Sequence, residues 1–206
     1  MAYTPQTLPS DSRRYDVLYE AAKAIKGVNG ITCEIGLRRG GGSETIAQGL
    51  IDNADQRVHI AIDPYGNIPY ALGNGFTHFD YTNDMRGTAL PSIYAWMYDN
   101  GIYFVFFGME DTEFFRRFGD GVPTYLNGVM NLENTYALVH FDGPHASTPV
   151  RQEVEFFGVR STVGTQWVFD DVDTYPHEAD VHPLILEYGF ELVEKAHPKW
   201  RYVRVR

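Results

Sequence analysis

Three stretches of the chain carry residues whose types and spacing suit chemistry. The first is Glu34-Ile35-Gly36-Leu37-Arg38-Arg39-Gly40-Gly41-Gly42-Ser43, a glycine loop behind a short apolar run. Glycines there let the backbone turn sharply and let a ligand come close. A helix opening behind the loop would offer its unpaired N–H groups. The spacing is not G-x-G-x-x-G, and the Lys-Ser/Thr pair of a phosphate loop is missing. A ligand with a carboxylate and a ribose therefore suits it better than a pyrophosphate. Gly40, Gly41 and Ser43 are its expected contacts. A tight strand-to-helix turn with no ligand accounts for the same glycines.

The second stretch is His59-Ile60-Ala61-Ile62-Asp63-Pro64-Tyr65. Asp63 ends an apolar run, where a carboxylate can accept both ribose hydroxyls. It equally suits a turn before proline. Glu110 and Asp111 follow the next apolar run. They can receive an adenine or cap the helix that starts near Thr112.

The third is Asp142-Gly143-Pro144-His145 together with Asp170-Asp171. If the strands ahead of them are neighbours, about 4.8 Å apart, their carboxylates can converge on one cation. Oxygen ligands without cysteine favour a hard ion such as Mg²⁺. Such an ion would also relieve the repulsion between the carboxylates. Asp170 and Asp171 suit a loop cap as well. The other histidines have less context, although His177 and His182 could border the same mouth.

Elements must bring these stretches together. Apolar residues recur at helical spacing from Tyr15 to Ile25, with Gly27 placed to stop the helix. Strands are expected at Ile31–Gly36, Val58–Ile62, Ile102–Phe107, Tyr136–Phe141 and Gln166–Phe169. Helices are expected at Ser43–Leu50 with Ser43 as cap, at 88–99, at Thr112–Phe118 and at Pro149–Val159. Phe190–Glu194 and Trp200–Val205 should pair as a hairpin around His197-Pro198. This alternation predicts an α/β fold: a Rossmann-like, doubly wound sheet, mostly parallel, with a C-terminal antiparallel hairpin. Ligands bind outside the carboxyl ends of such strands, which is where Gly36, Asp63, Gly108, Asp142 and Asp170 fall.

The four motifs CEIGLRRGGGS, HIAIDPY, VHFDGPH and WVFDDV resemble, in order and spacing, the class I S-adenosylmethionine-dependent methyltransferases. The pattern is most similar to the macrocin O-methyltransferase and cephalosporin-hydroxylase-like group. The resemblance implies that Glu34 and Gly36 face the methionine part of S-adenosylmethionine and that Asp63 holds the ribose. It implies magnesium on Asp142, Asp170 and Asp171, with Asp142 also beside the cofactor, and His145 as the base. The function implied is O-methylation of a hydroxyl on a sugar or another small, natural-product-like molecule. A hydroxylase-like chemistry or a non-catalytic ligand-binding module on the same fold is the alternative.

Bulk properties agree with one domain. The chain has 206 residues, 44% hydrophobic and 21% charged, enough for one well-buried core. Residues 1–14 are polar and proline-bearing, and are expected as a loose arm before a single domain at 15–206. The segment 66–100 is expected to act as a lid. Its aromatics (Phe76, His78, Phe79, Tyr81, Tyr94, Trp96, Tyr98) suit a sugar or ring, or an oligomer contact. A net charge of -10 with no long basic run argues against a nucleic-acid polymer. No apolar run is long enough for a bilayer and the start lacks a secretory signal, so a cytoplasmic setting without a membrane partner is expected. The lone Cys33, in an apolar run, should be buried and structural.

Overall fold

The computed structural model describes residues 3–68, 70–71, 77–78, 81–126 and 128–206. Strands β1 (Ile31–Ile35), β2 (His59–Ile62), β3 (Tyr70–Ala71), β4 (Thr77–His78), β5 (Phe104–Phe107), β6 (Val122–Leu126), β7 (Val129–Glu133), β8 (Tyr136–Phe141), β9 (Ser161–Phe169), β10 (Phe190–Ala196) and β11 (Lys199–Arg204) alternate with six helices. These are α1 (Tyr15–Ala24), α2 (Gly41–Asp52), α3 (Asn83–Asp99), α4 (Asp111–Arg117), α5 (Ser147–Gly158) and α6 (His182–Glu187), the last preceded by one π-helical turn at His177–Val181.

Seven strands form the main sheet, in the order β10-β11-β9-β8-β1-β2-β5. The five from β9 to β5 run parallel, and β11 and β10 close the far edge antiparallel. Every residue of β1, β2 and β8 is buried, which is why these runs are apolar without alternation. Helices cover both faces. Leu18, Ala22, Ile46 and Leu50 from α1 and α2 fill one side, with Ile93 and Met97 of α3 beside them. Phe114, Val154, Phe157 and Ile185 from α4, α5 and α6 fill the other. Phe157 stands edge-on to Tyr136, ring centroids 4.8 Å apart. Burying a side chain of that size stabilises the fold by about 1.5–3 kcal/mol. Cys33 is buried among these apolar neighbours.

The chain leaves β1 outward through β2 and β5, then returns to β8 on the other side of β1. That reversal opens a crevice at the carboxyl ends of β1 and β8, the place where such sheets take ligands.

Several boundaries moved. α2 starts at Gly41, with Gly40 at the cap position and no side-chain cap, so Ser43 is not the cap. α3 begins at Asn83, because Thr82 accepts the N–H of Met85 at 3.0 Å and caps it. The β6–β7 hairpin was not expected; it carries exposed Tyr125, Val129, Met130 and Leu132, and although Val122 and Thr124 point inward, the residue types of Val122–Leu126 do not alternate apolar and polar. Of the expected lid, Phe76 and Phe79 and the side chain of His78 lie outside the described residues. Among the described residues no helix is long and apolar enough to cross a membrane.

Residues 3–14 have no regular structure but are tied down. The N–H groups of Thr7 and Leu8 donate to Glu44 in the first turn of α2 at 2.7 and 2.5 Å, and Asp11 pairs with Arg38 at 2.8 Å. This strap lies across the glycine loop, with Leu8 against Gly40 and Ser10 against Gly41.

Candidate functional site

Parallel pairing brings the predicted residues to one edge of the sheet. Gly36, Asp63, Asp142 and Asp170 each follow a main-sheet strand at its carboxyl end. Gly36 adopts φ +87, and a Cβ there would overlap the carbonyl of Asp142. Only glycine lets the ends of β1 and β8 approach this closely.

A cavity of about 50 Å³ opens here, lined by Gly36, Asp63, Glu110, Asp111, Gly143 and Pro144 among others. Asp63 is 2% exposed. Its two oxygens accept the N–H groups of Arg38 and Tyr65, each at 2.9 Å. Burial pushes its carboxyl up to about 6 despite these bonds. Each oxygen keeps a lone pair for a further donor. Glu110 occupies the cap position of α4 without a side-chain cap bond. Asp111 opens that helix; Oδ1 accepts the N–H of Thr112 at 2.6 Å, and the side chain also shares a hydrogen bond with buried Glu153. Beneath it, burial and then the charge of Asp111 push Glu153 well above the usual carboxyl range. Glu153 is 1% exposed on α5, and nothing in the sequence pointed to it.

Glu34 does not line this cavity. It is buried, and both oxygens are spent inside the protein: one accepts the Ser43 hydroxyl, the other pairs with His140 Nδ1 at 2.8 Å. Ser43 Oγ also lies 2.8 Å from His59 Nε2, and His59 Nδ1 lies 2.9 Å from the Thr32 hydroxyl. Burial lowers His59 to about 3, so the ring is neutral. The chain of donors then runs Thr32 to His59 to Ser43 to Glu34, with His140 donating from the other side. His140 Nε2 is buried without a partner. The sequence reading missed both histidines. The parity of the strands could have found them, since Thr32 pairs across from His59 and Glu34 across from His140.

The acidic end is more open. His145 Nδ1 lies 3.4 Å from Asp171, and Nε2 lies 3.8 Å from Asp142. Both are ion-pair distances, too long for hydrogen bonds. Burial lowers the imidazole's pKa, but Asp142, Asp171 and Asp170 outweigh it and hold the ring above its ordinary value. Burial, then Asp170, raises Asp142; the same two causes raise Asp171. His177 and His182 do not border this mouth; both reach the Tyr202 hydroxyl, each at 3.0 Å.

Asp170, expected as a magnesium ligand, has a cationic partner within the chain. Its carboxylate is 1% exposed and is paired with Lys199, whose side chain is fully buried. Burial alone would raise Asp170; Lys199 brings it below the usual carboxylate range. One of the three expected carboxylates thus already carries a charge partner. Among the described residues the set of three such side chains whose donor atoms do lie within 4.8 Å of one another is Glu34, His140 and Asp142. There, however, Glu34 already spends both oxygens. A larger hollow of about 530 Å³ lies at the opposite edge of the sheet, beside Arg57 and Tyr103; Tyr98 lines it, but none of the expected cofactor, metal or catalytic residues does.

The sequence matches no protein-family model and no curated protein. Solved structures do share its architecture. The O-methyltransferase NovP superposes with a TM-score of 0.62 over 93% of this chain and 79% of its own, at 16% identity. CalS11, a TDP-rhamnose 3′-O-methyltransferase of calicheamicin biosynthesis, gives 0.55 over 92% and 76%, at 18% identity. The methyltransferase PaMTH1 of Podospora anserina, bound to S-adenosylhomocysteine, gives 0.55 over 96% and 80%, at 10% identity. Likeness at such low identity speaks to architecture: the chain has the Rossmann-like fold of these methyltransferases.

Proposed function

We propose that this chain is an S-adenosylmethionine-dependent O-methyltransferase acting on a hydroxyl of a small molecule. The observation that carries the reading is the cavity at the reversal point of the sheet, with Gly36, Asp63, Glu110 and Asp111 on its wall and His145 beyond Asp142. The residues present fit the cofactor. Asp63 has lone pairs for two ribose hydroxyls, Gly36 leaves the backbone bare, and Glu110, on the cavity wall without a cap bond, can accept an adenine amino group. When bound, S-adenosylmethionine supplies an electrophilic methyl group on a sulfonium.

His145 takes the proton from the acceptor hydroxyl. The flanking carboxylates of Asp142 and Asp171 favour the imidazolium that results. The backbone between Asp142 and His145 aligns acceptor and donor, which is the larger part of such a reaction. CalS11 is described as acting on a nucleotide sugar, and this supports a sugar hydroxyl as acceptor. Magnesium forms no part of the reading, because Asp170 is already paired.

Calorimetry with S-adenosylhomocysteine tests the proposal. Micromolar binding that is lost in Asp63→Ala is expected; no binding by the intact chain removes it.

A further inference from the structure

The acidic end holds a positive charge that nothing in the sequence placed there. Trp200 pairs across from Phe169 in antiparallel register, so the residue before it, Lys199, meets the residue after Phe169, which is Asp170. The Lys199 side chain is fully buried. Its ammonium donates to Asp170 Oδ2 and to Ser12 Oγ at 2.7 Å, and it lies 4.5 Å from the centre of the Tyr15 ring. A buried ammonium is costly unless it is fully partnered. Two oxygens and an aromatic face from three separate elements meet that need. The charge also acts on Asp142 and Asp171, offsetting part of the rise that burial and Asp170 give both carboxyls.

A divalent ion among carboxylates at such a site would do two things. It would cancel their repulsion and acidify a bound hydroxyl. Lys199 does the first. It also obstructs the ion, since Mg²⁺ needs carboxylate oxygens at about 2.0–2.1 Å in near-octahedral order. Here one such oxygen is bonded to an ammonium, and the ammonium would repel the incoming cation.

We propose that Lys199 is the built-in counter-cation of the Asp142–Asp170 pair and stands where a divalent metal would otherwise bind. It is a positioning residue, held at its post by Ser12 of the N-terminal strap. If the chain transfers methyl groups as proposed above, the acceptor's proton leaves by His145 without help from a metal.

The test titrates Mn²⁺ into the full chain and into Lys199→Ala, read by electron paramagnetic resonance, with thermal melts in Mg²⁺ beside it. The intact chain should bind no Mn²⁺ at this site, and its melting temperature should not respond to Mg²⁺. Lys199→Ala should melt lower, bind Mn²⁺ about tenfold more tightly or better, and recover part of its melting temperature in Mg²⁺. Stoichiometric Mn²⁺ on the intact chain that Asp170→Asn abolishes would overturn the proposal. So would a folded Lys199→Ala protein that gains no affinity. Should that variant fail to fold, the intact chain decides alone: bound Mn²⁺ overturns the idea and its absence carries it. S-adenosylhomocysteine binding, measured on the same sample, separates this question from the methyltransferase reading.

Discussion

Two groups of acidic and histidine residues lie on or just beyond neighbouring strands of this sheet, and they differ in what surrounds them. Around Glu34 the side chains of Thr32, Ser43, His59 and His140 are all buried, and both oxygens of Glu34 are consumed. Around His145 the contacts are longer than 3 Å, and Asp142, His145 and Asp171 keep part of their surface in solvent. The first group is closed and holds the glycine loop to the sheet. The second has bonding capacity to spare. Residue type does not separate a structural carboxylate from a working one; unspent hydrogen-bonding capacity next to a cavity does.

The largest effect should come from the closed group. Glu34→Ala would strand the Ser43 hydroxyl and the His140 N–H in a dry interior, a loss of roughly 2–6 kcal/mol at about 1–3 per group. Urea unfolding measures it; a loss below 1 kcal/mol would mean that the network is not closed.

His145→Ala should behave in the opposite way. Stability should change by about 0.5 kcal/mol or less, while turnover on an accepted hydroxyl falls by about 10²–10⁴-fold. A variant that unfolds, or that keeps its turnover, would erase the contrast between the two groups.

Gly42→Ala sharpens the comparison from the backbone side. A Cβ there would overlap Glu34 Oε1, with His140 Nδ1 3.0 Å away. A loss of about 1–3 kcal/mol is expected, and Gly87→Ala on α3, where a Cβ meets nothing within 4 Å, is the control.

The smallest effect concerns pH. Asp63 titrates near 6 in the folded chain, above its ordinary value, because it is buried. The proton is thus held more tightly in the folded state, so Asp63's contribution to stability is greatest below about pH 4 and is lost as pH rises through 6. Ligand binding runs the other way. Ribose hydroxyls need the ionised carboxylate, so S-adenosylhomocysteine affinity should fall about tenfold per pH unit below 6. Calorimetry at pH 5 and pH 7 tests this, and Asp63→Asn should flatten the difference.

Much of this architecture was legible in the sequence. Short, mostly apolar runs such as Ile31–Ile35 and Tyr136–Phe141 read as strands covered on both faces, and glycine or aspartate at their ends marks one edge. The expected hairpin strand Trp200–Val205 begins one residue earlier, at Lys199, and that lysine is fully buried, which its residue type does not announce. Glu153 and the two network histidines were equally silent, since a buried polar residue in an apolar element looks like an accident until its partner is known.

The order of elements, the parallel sheet and the edge where ligands would gather were set by local patterns, because burial on two faces imposes composition on a strand directly. Which carboxylate pairs with which cation was decided by the tertiary structure alone. The antiparallel register of β11 on β9 carries Lys199 to Asp170 from 29 residues away, and Ser12 reaches the same ammonium from 187 residues away. Electrostatic partnership is a matter of distance in space, and nothing in a linear string states that distance.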